Sequence, residues 1–187
     1  MRVPWDLDIS KCDLDQKKEI LKYAAEVRKF EIERFWQRSG FFWLFIGAAF
    51  IAYATLYKEK DSLIPLLIGS FGVISSLAWT LQNRGSKYWQ EAWEHKVEIV
   101  EVDVLGTNLF SNIEPLQRNG IWGARRYSVS RLATAISDFT FLIWITLMLK
   151  ASPIHLGATL DVWASLTIIF TIVYAIVIFA EGRSGRG

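Results

Sequence analysis

The sequence predicts an all-α protein built on four transmembrane helices, and three observations predict this fold. The first is the distribution of charge. Of the 187 residues, 52% are apolar and 21% are charged, which a soluble domain could also show, but the charges leave four long gaps. Because a bilayer core about 30 Å thick needs roughly 20 apolar helical residues, each gap predicts one span. The gaps are residues 39–57, 62–83, 139–149 (132–149 if Asp138 is tolerated) and 162–180.

The second observation is the position of the aromatic residues. Tryptophan and tyrosine favour the headgroup region of a bilayer. Six of them lie near the ends of the predicted spans: Trp36, Trp43, Tyr57, Trp79, Trp89 and Trp163. The third observation is what the composition excludes. A net charge of +2 excludes a nucleic-acid module that binds through bulk positive charge, and a single cysteine, Cys12, excludes a disulfide scaffold.

The apolar gaps divide the chain into five segments. The first two spans and the last two are separated by a polar region long enough to fold by itself, whereas the loops inside each pair are short. The predicted segments are a cytoplasmic N-terminal amphipathic helix at 1–38, spans one and two at 39–83, a cytoplasmic helix and loop segment at 84–131, spans three and four at 132–181, and a flexible tail at 182–187.

Lysine and arginine are unequally divided between the segments that join the spans. Eighteen of the 21 lie in 1–40, 84–133 and 182–187, and three lie in 58–61 and 150–160. The positive-inside rule therefore predicts that both termini and the central segment are cytoplasmic, in a multi-pass membrane protein. Because about 38 mostly polar residues precede the first span, we expect no secretory signal peptide.

Two helices are predicted to extend from the spans into the cytoplasm. In the N-terminal segment, Asp13 or Asp15 can cap a helix that contains no proline and can continue into the first span. The helix of the second span is predicted to continue to about Leu105, some 30 Å beyond the membrane. Both extensions carry an apolar stripe that must be buried. We therefore expect them to pack on each other and on neighbouring subunits.

This apolar face is the predicted contact surface for neighbouring subunits and for a soluble cytoplasmic partner. We expect a homo-oligomer, with a tetramer favoured. The face consists of Tyr88, Trp89, Trp93, Val97, Val100 and Val104 of the central helix and Val27 and Phe30 of the N-terminal helix. Small residues at four-residue spacing predict close helix packing in the membrane, within or between subunits: Gly72, Ser76 and Thr80, and Thr167, Thr171 and Ala175.

Asp138 is the acidic residue inside a predicted span. A charge in that position costs free energy, by about 2.5–3.5 kcal/mol at mid-membrane and less near an interface, so it should face the interior of the bundle. One interpretation is an ion or proton site or a gate latch. The other is a structural contact, for which the candidates are a polar contact to Ser75, Ser76, Thr134 or Tyr174, or an ion pair with Arg84 or Arg131.

A basic cluster is predicted at the inner membrane surface, where each basic residue near anionic lipid contributes about 1 kcal/mol. It consists of Arg118, Arg125, Arg126 and Arg131. Membrane lipid is the predicted partner of this cluster. A nucleotide site lacks the support of a glycine-rich phosphate loop, and we expect no direct nucleic-acid binding.

A metal site and a catalytic site both find little support. Glu91, Glu94, His95 and Glu98 have the spacing of a helix-face metal site, but Lys87 and Lys96 can pair with the glutamates, which favours a solvated face or ion pairs between subunits. The spans contain no Ser/His pair and no pair of aspartates, and the chain has no cysteine pair. We therefore expect no metal, no cofactor and no enzymatic activity.

One stretch after the second span carries a family resemblance. The run from Asn83 through Arg84-Gly85-Ser86 to Gln90, followed by Trp93, Glu94 and Lys96, resembles a signature of small four-span bacterial membrane proteins with a long cytoplasmic second helix. The layout is similar to membrane components of antiphage defence, first the membrane subunit of the Kiwa system and second the SLATT-type effectors. The resemblance to the Kiwa subunit implies a homo-oligomeric sensor in the bacterial inner membrane that holds a separate cytoplasmic DNA-binding effector.

The sequence leaves three functional hypotheses. The preferred one is an oligomeric scaffold or sensor that docks a cytoplasmic effector, in the setting of antiphage defence. The second is a pore-forming effector that depolarises the membrane. The third is a small ion-coupled transporter, which is disfavoured because one membrane charge and unbroken helices are unlike known transporter sites.

Overall fold

A computed structural model of the chain describes residues 11–57, 63–107, 127–153 and 161–182. These residues form four helices: α1 (Leu14–Leu56), α2 (Ile64–Leu105), α3 (Val129–Ala151) and α4 (Val162–Glu181). Each contains a stretch long and apolar enough to cross a membrane. The predicted all-α fold with four membrane helices is confirmed, as is the single uninterrupted helix that joins the N-terminal segment to the first span.

The helix ends follow local sequence signals. At the start of α1, Asp13 Oδ1 accepts a hydrogen bond from the Gln16 backbone N–H at 2.7 Å, and Gln16 Oε1 accepts one from Asp13 N–H at 3.1 Å. This is a reciprocal capping box. At the end of α2, Gly106 adopts a φ of +65° and its N–H donates to the Val102 carbonyl. Glycine tolerates this left-handed conformation, so the helix stops at the predicted residue, Leu105.

The chain divides into two compact units. Unit 1 contains residues 1–35 and 86–127, and unit 2 contains residues 36–85 and 128–187. The described part of unit 1 thus contains the first part of α1 and the last part of α2, and the described part of unit 2 contains the rest of both helices with α3 and α4. The assignment of the segments to membrane and cytoplasm stays a prediction.

In unit 1 the two helices are antiparallel and pack along one seam. Two ion pairs fix their register, Lys17 with Asp103 at 3.1 Å and Arg28 with Glu94 at 3.2 Å. Between them lies a core of side chains at most 3% exposed, which consists of Ala24 and Phe35 of α1 and Val97, Val100 and Glu101 of α2. The predicted packing of these two helices on each other is therefore found within one chain.

In unit 2, α2 is the central helix. Half of the residues in the most apolar 18-residue stretch of α2 are buried, whereas the corresponding share is 22% in α1, 17% in α3 and 11% in α4. It contacts α1 through Trp43 and Trp79, whose ring centroids are 6.4 Å apart, and α4 through a short hydrogen bond between Ser70 and Thr171. α4 is the most apolar and the least buried of the four helices. Its remaining surface is therefore available to lipid or to another subunit.

A close helix contact in unit 2 joins α2 to α3. The indole of Trp144 is fully buried and lies directly against Gly72, while the Met148 backbone lies against Gly69. Phe50 of α1 stacks on the same indole with a centroid distance of 4.4 Å. The predicted small-residue ridge of α2 is buried within the chain: Gly72 lies against Trp144, and Ser76 and Thr80 are buried as well. The close packing of this ridge therefore occurs inside the subunit.

Candidate functional site

A polar junction joins three helices of unit 2. It consists of Ser39 of α1, Asn83 and Arg84 of α2, and Ser137 and Asp138 of α3. Asn83 is fully buried at its centre. Its Nδ2 donates to Ser137 Oγ at 3.1 Å and to the Ala133 carbonyl at 3.3 Å, and its Oδ1 accepts from Ser39 Oγ at 3.4 Å. One amide therefore ties α1, α2 and α3 together.

Beside the amide lies the ion pair of the polar junction. Arg84 Nη1 and Nη2 donate to Asp138 Oδ1 and Oδ2, both at 2.9 Å, in the bidentate geometry that makes an arginine–carboxylate pair strong and directional. The side chains of Arg84 and Asp138 are 51% and 40% exposed in the single subunit. About half of each side chain is therefore buried in the helix contact, and the other half is exposed on the surface of the subunit.

Of the alternatives considered for Asp138, the structure shows the ion pair with Arg84. Sequence reasoning missed the hydrogen bonds of Asn83, although the residue lies in the signature stretch. A signal was present, because an asparagine at the end of an apolar span must find partners if it is buried. Its partners Ser39 and Ser137 are 44 and 54 residues away, so the sequence could not name them.

The predicted contact face of unit 1 separates into three parts. Val97 and Val100 are buried against α1 and are used inside the chain. Trp93, Val104 and Val27 are half-buried at the edges of that seam. The third part is open: Tyr88 is 52% exposed, Trp89 38% and Phe30 47%.

Further apolar residues that sequence reasoning did not select are also exposed on unit 1. The predicted stripe followed Val97 and Val100, whereas α2 carries a second apolar line that sequence periodicity alone did not separate from the first. The additional exposed residues are Leu14 of α1 and Ile99, Val102 and Leu105 of α2. Tyr23, which the sequence places at helical spacing with Val27 and Phe30, is exposed as well. The described part of unit 1 therefore has an exposed apolar surface.

The charged residues of α2 in unit 1 are engaged in ion pairs and a ring contact. Glu91 lies 3.1 Å from Lys87, and Glu94 pairs with Arg28. The Lys96 ammonium lies 4.7 Å from the centroid of Trp93, and desolvation by burial lowers the pKa of this lysine from its ordinary value. Within the described part of the chain, no group of three His, Cys, Asp or Glu residues could hold a metal ion.

The predicted basic cluster lies mainly outside the described residues. Arg118, Arg125 and Arg126 fall in the gap between 107 and 127. Arg131 is in the first turn of α3, and its backbone N–H donates to Ser128 Oγ at the helix N-cap. The inner-surface location of Arg131 and lipid contact by the cluster stay predictions.

Comparison with known proteins identifies one family. The family model of the octameric membrane protein family (8xMP) matches residues 18–153. This range includes most of α1, all of α2 and α3, and the whole polar junction. Searches of curated proteins and of solved structures give no significant match. The family name states an octamer, where the sequence analysis favoured a tetramer. Because the match covers far more than half of the chain, the protein belongs to the octameric membrane protein family.

Proposed function

We propose that this chain forms a homo-octamer in the bacterial inner membrane and acts as a non-enzymatic scaffold that holds a soluble cytoplasmic partner. The observation that carries the proposal is the open apolar surface of unit 1. Large apolar side chains that neither their own subunit nor lipid covers are typical of protein contact surfaces. The octameric stoichiometry rests on the family to which the chain belongs.

The two parts of the chain suit different roles in such a scaffold. Unit 2 supplies four apolar helices whose outer faces are largely exposed in a single subunit, which suits a membrane assembly. Within the described part of unit 1, the start of α1 lies beside the end of α2, and there Leu14 is 54% exposed and Leu105 45% exposed. The Lys17–Asp103 ion pair holds these two helix ends together. This end of unit 1 is the proposed docking site for the soluble partner.

The setting that we propose is antiphage defence. It rests on the resemblance of the Asn83–Gln90 stretch and of the four-span layout to membrane components of defence systems. The cytoplasmic location of unit 1 rests on the excess of lysine and arginine in the segments that contain it. In this arrangement the membrane unit senses a perturbation and the cytoplasmic unit releases or activates its partner.

The experiment is recovery of the partner from native cells. The tagged full chain is purified in a mild detergent, and co-purifying proteins are identified by mass spectrometry. We expect one soluble protein to be recovered repeatedly with the wild-type chain and lost from the Leu14→Glu/Leu105→Glu variant. A matched variant, Lys22→Glu, changes an exposed charged position of α1 and should retain the partner. Equal recovery with all three chains, or recovery with none, would contradict the docking site.

A second candidate function is favoured by the Arg84–Asp138 ion pair. The Arg84–Asp138 pair is half-exposed in one subunit and lies on apolar helices. Exposure of its charges to lipid hydrocarbon would cost free energy, so a neighbouring subunit or water should cover it. Water at this position would suit an ion-conducting pore. The test is ion flux into liposomes that contain the purified oligomer. Flux that changes with Asp138→Asn and not with Thr140→Val would favour the pore over the scaffold.

A further inference from the structure

The unit 1 part of α2 is apolar on two opposite faces. One face is the buried seam with Val97 and Val100 at its centre. The other face is the outer α2 stripe, which consists of the apolar or aromatic residues Tyr88, Ala92, Ile99 and Val102 with one polar residue, His95, between them. At 100° per residue, Ile99 lies about 200° around the helix from Val97. A helix that is apolar on both sides needs a packing partner on both sides.

The outer α2 stripe has the spacing of a helix-packing seam. Its residues follow one another at intervals of four, three, four and three, which is the 3.5-residue repeat that keeps a seam facing a partner helix. Tyr88, Ile99 and Val102 are 52%, 48% and 47% exposed in the single subunit, and Ala92 is half-buried. The stripe continues for fifteen residues of one uninterrupted helix, which is about 21 Å. Another helix is the occupant that such a seam fits.

The same repeat occurs on the exposed side of α1. The outer α1 stripe consists of Tyr23, Val27, Phe30 and Arg34, at intervals of four, three and four. Tyr23 is 63% exposed, and the guanidinium of Arg34 lies 4.9 Å from the centroid of Phe30. This stripe lies about 100° around the helix from the seam that α1 makes with its own α2 at Ala24. Each subunit therefore offers two outer seams of the same period.

The charges of the two helices favour contact between unlike stripes. Residues 86–105 of α2 contain five acidic and two basic residues, whereas residues 14–38 of α1 contain seven basic and five acidic residues. Two α2 segments placed side by side would repel, and an α2 segment beside an α1 segment would attract. A closed ring of identical subunits also needs a head-to-tail interface, in which two different surfaces meet.

We propose that the outer α2 stripe of one subunit packs against the outer α1 stripe of the next subunit, so that a second copy of this chain covers both. The inference rests on the proposed octamer and names the surface that joins its subunits. Repeated around a ring, the contact buries the aromatic side chains of both stripes. It leaves the exposed end of unit 1, with Leu14 and Leu105, for the soluble partner.

The test is disulfide cross-linking between two copies in native membranes. Cys12 is the one cysteine of the chain, so a Cys12→Ser background removes every competing thiol. Two differently tagged full-length chains are co-expressed, one with Tyr23→Cys and the other with Ile99→Cys. Because each chain carries one cysteine, a cross-linked pair that carries both tags must join two subunits. Disulfides form only where the two Cα atoms come within about 7 Å.

Matched controls are available one residue away. Lys22→Cys and Glu98→Cys lie at the same height along their helices but point about 100° away from the stripes. We expect the Tyr23→Cys and Ile99→Cys pair to give a cross-linked species with both tags, and the control pair to give several-fold less. A cross-link of equal yield in both pairs, or a stronger cross-link in the control pair, would overturn the proposed interface.

The mass of the same samples separates the two proposals. If native mass spectrometry finds an octamer and the Tyr23→Cys and Ile99→Cys pair does not cross-link, the interface is wrong and the octamer stands. If no octamer is found, the proposed assembly itself fails. A second variant, Ile99→Glu/Val102→Glu, leaves the intrachain seam intact and should convert the octamer into smaller species. An unchanged octamer in this variant would also overturn the interface.

Discussion

Replacement of Gly72 by alanine should destabilise unit 2, because the structure leaves no space for a methyl group. A Cβ atom at this position would lie within 3.0 Å of three ring carbons of Trp144, Cδ2, Cε3 and Cε2. The indole cannot move aside, since it is fully buried, is stacked on Phe50 and makes an edge contact with Tyr53 at a centroid distance of 6.0 Å. Overpacking of this kind costs about 1–3 kcal/mol. Because three ring atoms are involved, we expect a loss near the upper end of that range.

The assay is the free energy of unfolding of the purified protein in mild detergent. Gly47→Ala is the matched control, because the same change in the first span meets no atom within 4 Å and replaces glycine by a better helix former. Trp144→Phe should restore part of the loss when it is combined with Gly72→Ala, so that the two substitutions are strongly non-additive. The reasoning is refuted if Gly72→Ala is as stable as Gly47→Ala.

Three further predictions concern the polar junction and the orientation of the chain. Asn83→Leu removes three hydrogen bonds of about 0.6 kcal/mol each, so the free energy of unfolding should fall by about 2 kcal/mol. Thr140→Val removes a hydroxyl that is hydrogen-bonded within its own helix and should have little effect. Equal effects of the two substitutions would contradict the polar junction. Arg84→Gln and Asp138→Asn should each lower the free energy of unfolding by about 1 kcal/mol. The double variant should be more stable than the sum of the two single losses predicts. Additive losses in thermal stability would argue against the ion pair. Cys12, which is half-buried, should react with a membrane-impermeant maleimide in inverted vesicles and not in intact cells, and the reverse pattern would contradict the predicted orientation.

The number and length of the helices could be predicted because they depend on local properties of the chain. Long charge-free segments predicted the four apolar helices, and the absence of proline predicted that α1 continues from Leu14 to Leu56. The end of α2 at Leu105 follows from the glycine that comes next, whose φ of +65° stops the helix. These features need no knowledge of what each helix packs against.

The pairing of faces could not be predicted from the sequence, because it depends on residues far apart in the chain. The 3.5- to 3.6-residue period fits Val97 and Ile99 equally well, and only the structure shows that Val97 faces α1 and that Ile99 is 48% exposed. Asp138 was selected as an isolated charge, and the arginine that balances it was one of several candidates. Gly72 was recognised as small, but its partner Trp144 lies 72 residues away.

The mass of the intact assembly decides whether the proposed octamer exists. The wild-type chain, extracted in a mild detergent or in native lipid nanodiscs, is analysed by native mass spectrometry. We expect a principal species that contains eight copies of the 21.5 kDa chain. Ile99→Glu/Val102→Glu should lower this mass, and Lys22→Arg, which keeps the charge of α1, should not. A wild-type species that is monomeric or tetrameric at every detergent concentration would contradict the account.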